Sequence, residues 1–473
     1  MKDLKFRLVE ITIENFKNVE YGNINLKTPV DLYKSNILGL YGQNGSGKTA
    51  LIDSIELLKT VLLGHPISDE YFDLIDINKE YAHLHYSFEL EGPCGKYYAK
   101  YEFKIRKEEI ISGNLKELEQ KIKNVVIYDE VLSCSFKNDE FNYHMCKYID
   151  TNTDNADDVF IPLTKYNSLF GKDKDIKKEL LIDKAIAKRS STSFIFSANF
   201  VRNLESLHQK NKTKDRHIVY ELLQYLIHYA HSGLFVINTT DIGKNSSKML
   251  PLFFRYGCAT KGTCGQMLLY LGEPITLPNK VFKLFEEIIK SMNIVLESII
   301  PGLTISIKSL GSELSEEGEL VTKVELISCR NGNEIPLKCE SEGIRKIISI
   351  LQLLIAVYND SSITVAIDEL DSGIFEYLLG ELLQIIAEKA KGQLIFTSHN
   401  LRPLEILDKK FIAFTTTNPK NRYIRFSDIK KNNNLRSVYF NSIVLGGQKE
   451  EVYKPTRSGK ISLAFWKAGK IDD

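Results

Sequence analysis

Two short stretches have the residue types and spacing for phosphate chemistry. Gly42-Gln43-Asn44-Gly45-Ser46-Gly47-Lys48-Thr49 has the form G-x-x-x-x-G-K-[ST]. The glycines let backbone N–H groups curl around a β-phosphate with no Cβ in the way. Lys48 is expected to reach the β- and γ-oxygens, and the Thr49 hydroxyl to ligate Mg²⁺. The N-terminus of a following helix would add its dipole. The second stretch, Asp368-Glu369, closes an apolar run at 363–367. Asp368 is expected in the Mg²⁺ shell, and Glu369 is placed to polarise a water attacking a γ-phosphate. A lone Asp-Glu pair at a strand end is commonly just solvated. Beside the glycine loop, the second acid argues for hydrolysis rather than binding alone.

Three smaller features join these. Ser341-Glu342-Gly343 opens a predicted helix one element before the acids, with Ser341 as a good N-cap and free N–H groups suited to an anion. Asp371 follows the acids by two residues. His399 ends the next strand, at the edge where open α/β sheets bind ligands.

Positioning these residues requires particular elements. An apolar strand at 35–41 runs into the glycine loop, and 49–63 then has helical periodicity, stopped by Gly64 and Pro66. Alternation predicts strands at 8–13 and, after a turn at Gly22, at 24–26, with further strands at 82–90 and 96–105. From 303, strands lead through an Asn331-Gly332 turn to a third, then to a helix over 343–358 and the strand at 363–367. A helix over 375–389 capped by Gly392 and the strand Gln393-Leu394-Ile395-Phe396-Thr397 follow. The alternation predicts an α/β core with a mostly parallel sheet. Four regions are expected: an N-terminal lobe at 1–106, a mainly helical insertion at 107–300, a C-terminal lobe at 301–430 and a tail at 431–473. Within the insertion, 193–200 and 233–240 read as strand-like.

The chain of 473 residues carries a formal net charge of +1, so no global field draws it to nucleic acid or to an acidic membrane. Seven scattered cysteines form no C-x-x-C pair, which fits reduced thiols in a cytoplasm. The N-terminus has no signal-peptide core and no apolar run reaches a membrane span. A cytoplasmic location without membrane contact is expected. His83 and His85 share one face of an alternating strand and are expected to be a half-exposed strand face. Asp150, Asn152 and Asp154 resemble the start of a calcium loop, but Asn155 and Ile161 stand where that loop needs Gly and Glu. No second constellation of metal ligands or paired carboxylates is evident.

The order of glycine loop, Ser-Glu-Gly, acidic strand, aspartate and histidine resembles the ABC-type ATPases of the branch shared by SMC, RecF and OLD-like proteins. The opening, Ile11-Thr12-Ile13-Glu14-Asn15-Phe16-Lys17, is similar to that branch's N-terminal strand. The resemblance implies a head that binds ATP and Mg²⁺ and dimerises head-to-tail, with a higher oligomer left open. Each ATP would lie between residues 42–49 of one subunit and Ser341 to Gly343 of the other, and His399 would contact the γ-phosphate. It leaves the family's glutamine loop unplaced. Without a coiled-coil arm, the chain looks like ATPases of prokaryotic anti-phage systems: OLD, Septu, abortive-infection and PARIS ATPases. The stretch from Gly446 to Glu451 is similar to that group. This implies a sensor and scaffold controlling a separate, co-encoded effector of nuclease type. The alternative is a RecF- or SMC-like ATPase that clamps DNA in repair, with the basic stretches 172–189 and 209–216 lining the groove.

Overall fold

The computed structural model describes residues 4–27, 35–112, 120–238, 249–256, 263–270, 273–314, 318, 320–426, 434–445 and 449–469. Cys258 and residues 446–448 lie outside them.

The chain opens with β1 (Lys5–Phe16), β2 (Val19–Asn25) and β3 (Asn36–Tyr41), then α1 (Lys48–Leu62), β4 (Tyr81–Gly92), β5 (Gly95–Ser112), β6 (Gln120–Lys137) and β7 (Asn142–Asp150). Four helices follow: α2 (Leu163–Phe170), α3 (Lys174–Arg189), α4 (Ala198–Lys210) and α5 (Lys214–Ser232). Next come β8 (Leu234–Ile237), β9 (Met249–Tyr256), β10 (Thr263–Tyr270), β11 (Ile275–Pro278) and α6 (Asn279–Ile299). The last third holds β12 (Leu303–Leu314), β13 (Leu320–Arg330), β14 (Asn333–Pro336), α7 (Glu342–Asn359), β15 (Thr364–Ile367), α8 (Glu376–Lys389), β16 (Gln393–Thr397), β17 (Ile412–Thr415) and β18 (Tyr423–Ile424).

Two large sheets organise the molecule. One is antiparallel in the order β2-β1-β4-β5-β6-β7. The other runs β18-β17-β3-β16-β15-β8, parallel except where β18 meets β17. Helix α1 contacts β1 of the first sheet and β8, β15 and β16 of the second. That position explains its sequence: eleven of its fifteen residues are buried, on all sides rather than along one stripe. The parallel strands β3, β15 and β16 are buried throughout and read as continuous apolar runs, as expected of strands covered on both faces. The α/β architecture with N-terminal antiparallel strands is therefore as the alternation predicts.

Several local expectations change. Gly22 is not a turn but a residue of β2, paired with Ile13; the turn is at Lys17 and Asn18, with Lys17 at φ 52°. A Cβ at Gly22 would meet the Tyr423 ring at 2.6 Å, so the glycine serves close packing. The antiparallel sheet continues past residue 106, since β5 to β7 extend to Asp150 and pair in one meander. Short apolar runs there, such as Val125-Val126-Ile127, do not separate strand from buried helix by periodicity. The helices of the insertion occupy 163–232 and 279–299, and α5 delivers the chain to β8, which belongs to the parallel sheet. Residues 193–196 form no strand; Ser193 and the Phe194 N–H instead bond the buried Glu130 carboxylate. Gly392 does not cap α8: its N–H donates to Val357 O at 2.7 Å, and a Cβ there would collide with backbone oxygens. No helix among the described residues is long and apolar enough to cross a membrane.

Candidate functional site

Strand β3 ends at Tyr41 and the glycine loop turns directly into α1. Gly45 and Gly47 adopt φ of 73° and 94°, the left-handed region that glycine enters without steric cost. No side chain caps α1 and no acid occupies its first turn, so its free N–H groups and positive dipole end face the loop. Gly42 is required for a different reason, because a Cβ there would lie 1.7 Å from Thr415 Oγ1.

The loop is braced from behind by residues with no sequence signal. The hydroxyls of Ser46 and Thr415 hydrogen-bond each other, and Tyr423 OH donates to Gly47 O at 2.9 Å. The Arg422 stem packs on Gly47, and its guanidinium donates to Thr416 O and Asn18 O. Asn18 in turn donates to Gly45 O, and the Lys454 N–H donates to Gln43 Oε1 at 3.0 Å. Asn18 aside, these partners are hundreds of residues from the loop in sequence.

Lys48 is 6% exposed and donates to Gly42 O at 2.9 Å and Gln43 O at 3.1 Å. Burial lowers its pKa, while Asp368, Glu369 and Asp371 act in the opposite sense. Thr49 Oγ1 donates to Asp368 Oδ2 at 3.1 Å, and Thr397 Oγ1 donates to Asp368 Oδ1. A hydroxyl and a carboxylate oxygen at that separation fit adjacent vertices of an octahedral Mg²⁺ shell, about 2.9 Å apart for ligands at about 2.05 Å. The all-oxygen donor set also suits this ion.

Glu369 has φ of 48°, uncommon for a residue other than glycine and worth about 1–3 kcal/mol of strain. Its N–H donates to Thr397 Oγ1 at 2.8 Å, so one threonine positions both acids. Asp371 Oδ2 accepts the N–H groups of His399 and Asn400 at 3.1 and 2.9 Å, joining the turn after β15 to the turn after β16. Together, Asn44, Gly45, Lys48, Thr49, Asp368, Glu369, Asp371, Ser372 and His399 line one cavity of about 470 Å³. An adjoining cavity of about 630 Å³ shares Gly45, Lys48 and Thr49, includes Gly47, and extends past Lys17, Asn18 and residues 73–78. Gly42, Gln43 and Ser46 line neither, and shape the loop from behind.

Ser341 and Gly343 also line neither cavity. Ser341 is exposed and caps α7, accepting the Ile344 N–H at 3.4 Å. Gly343 lies against the turn after the acids: a Cβ would sit 2.0 Å from Gly373 O. One turn on, Lys346 is 7% exposed and its Nζ has no hydrogen-bond partner. Burial lowers its pKa, against the pull of Glu369, Asp371, Asp368 and Glu342. Lys346 carries no signal of its own in the sequence; only its place on the inner face of α7 turns it toward the acids.

Two groups of metal-type donors that are not adjacent in the sequence come together away from the cavity. Glu14, His83 and His85 converge on the antiparallel sheet, and His208, His217 and Glu221 converge between α4 and α5. The first was expected only as a strand face, and the second is assembled by helix packing.

Residues 7–402 match the family model described as AAA ATPase domain. No curated protein matches the chain. Among solved structures it is similar to an Smc head domain with an extended coiled coil bound to the C-terminal domain of ScpA from Pyrococcus furiosus, at 12% identity and TM-score 0.37, covering 89% of this chain and 96% of that one. It is similar to an SMC head domain from Thermotoga maritima at 13% identity and TM-score 0.34, over 89% and 99%. The recombination mediator protein RecF matches at 12% identity and TM-score 0.35, over 89% and 99%.

Proposed function

The chain belongs to the AAA ATPase domain family, and from that premise we propose that it hydrolyses ATP at the cavity between the glycine loop and the acidic strand. One observation carries this assignment: Thr49 and Asp368, 319 positions apart, meet at 3.1 Å with Glu369 on the same cavity wall. The loop N–H groups and Lys48 hold the phosphates, with Lys48 exchanging its two carbonyl partners for phosphate oxygens. Thr49 and Asp368 would hold Mg²⁺, which when bound neutralises phosphate charge and orients the γ-phosphoryl group. Glu369 accepts a proton as water adds to the γ-phosphorus, and the bond to the β–γ bridging oxygen breaks to leave ADP and phosphate. His399, its backbone anchored by Asp371, lies on the γ-phosphate side.

The exposed cap at Ser341, outside its own chain's cavity, supports a site completed by a second subunit. Ser341 and Gly343 then cover the nucleotide of the partner, and the chain works as a homodimer. Mixing Lys48→Ala protein with Ser341→Arg protein tests this. Each homodimer is defective at both sites, while the mixed dimer carries both lesions at one site and keeps the other intact. Partial recovery of ATPase activity is expected; no recovery, with mixing of folded chains demonstrated, would exclude a shared site.

The output assigned to this cycle is control of a separate effector, of nuclease type, in an anti-phage system. The support is the resemblance of the motif order to ATPases of such systems. Purified chain with ATP and Mg²⁺ or Mn²⁺ is expected to leave DNA and RNA intact, and protection against phage to require a co-encoded partner and Lys48. Nuclease activity of the homogeneous chain, abolished by a substitution outside the ATP cavity, would overturn this output and leave the ATPase assignment standing.

A further inference from the structure

We propose that His208, His217 and Glu221 form a binding site for a transition-metal dication of the Zn²⁺ type, separate from the nucleotide cavity, which staples α4 to α5. His217 and Glu221 are four apart on α5 and therefore share one face of that helix. His208 stands in the last turn of α4, brought opposite them by the short connection at 211–213. One ligand atom from each of the three lies within 4.8 Å of the other two.

A second observation points to a ligand. His208 is 7% exposed, and the Nδ1 atoms of both His208 and His217 are buried without a hydrogen-bond partner. Buried polar atoms are nearly always paired, because leaving one dry forfeits its hydration with nothing in exchange. Two imidazoles, each with such a nitrogen, beside one carboxylate make a donor set that a divalent ion would satisfy. The two rings lie parallel, 5.3 Å apart, and Tyr220 stacks on His208 at 4.6 Å, which limits ring rotation. The Arg216 guanidinium on α5 does not compete, since it is engaged with Leu169 O, Leu207 O and Asn211 O.

Two imidazoles and one carboxylate suit Zn²⁺, Co²⁺ or Ni²⁺ over the all-oxygen preference of Mg²⁺ and Ca²⁺. Three protein ligands also leave a position open. The Cys94 thiol, in the turn between β4 and β5, lies beside Glu221 and adds a soft donor near the cluster. The cluster at Glu14, His83 and His85 differs, because His85 Nδ1 is already engaged by the Glu102 carboxylate.

Nucleotide-free protein of 473 residues, stripped with a chelator, is titrated with Zn²⁺ against a chromophoric competitor in excess Mg²⁺. One equivalent is expected to bind and to raise the melting temperature. His208→Ala should lose that equivalent, and Glu221→Gln should weaken it by more than about tenfold, as polar changes at metal sites do. His83→Ala should leave it unchanged. Glu221 is half-buried, so Glu221→Gln decides the matter if His208→Ala does not fold. Failure of the parent to hold Zn²⁺, or a stoichiometry and affinity unaltered by Glu221→Gln, would overturn the site; so would loss of the ion on His83→Ala.

Discussion

Glu369→Gln protein is expected to bind ATP and retain it uncleaved, with turnover lower by about 10²–10⁴-fold, the range that a positioned general base contributes. The substitution keeps the side-chain shape and removes the proton acceptor. The anchoring does not depend on the carboxylate, because the Glu369 N–H bonds Thr397 Oγ1 and the φ of 48° is a backbone property. Asp368 keeps both threonine donors, so the Mg²⁺ oxygens stay in place. Single-turnover hydrolysis measured alongside nucleotide retention separates the two steps. Hydrolysis at the parent rate would remove Glu369 from the role assigned to it.

Lys48→Ala acts earlier, at binding. The ammonium is the cation that the glycine loop itself supplies to the cavity, held at 2.9 and 3.1 Å from two loop carbonyls. Losing it removes charge pairing to two phosphates, and about 10²–10³-fold weaker ATP binding is expected, with turnover falling at least as far. The fold should persist, since Lys48 is buried against its own loop and its burial already disfavours the charged form. Titration with a fluorescent ATP analogue, with circular dichroism on the same sample, measures both. Parent-like affinity in folded Lys48→Ala protein would sink the assignment of the loop as the phosphate cradle.

What was legible in the sequence was local. The glycine loop between a strand and a helix needs only neighbouring residues, and so does the apolar run ending at Asp368 and Glu369. The Asn331-Gly332 turn, with φ of 51° and 83°, also follows from the two residues that form it. Even the α/β class follows from period and order alone. Boundaries were less legible where runs were short and apolar, which is why β6 and β7 were absorbed into a helical insertion.

By itself, then, the sequence determined the chemical groups, the backbone permissions that shape the loop, and the alternation of strands with helices. The tertiary structure alone decided that β8 lies beside β15, and that Thr415, Arg422 and Tyr423 brace the loop from behind. It also decided that Lys346 faces the acids, that Ser341 stands outside its own cavity, and that His208 meets His217 and Glu221. The reason is physical: dihedral preference and hydrophobic period are set within a few residues, whereas these meetings depend on sheet order and helix packing. Those are fixed by burying apolar surface contributed from both ends of the chain.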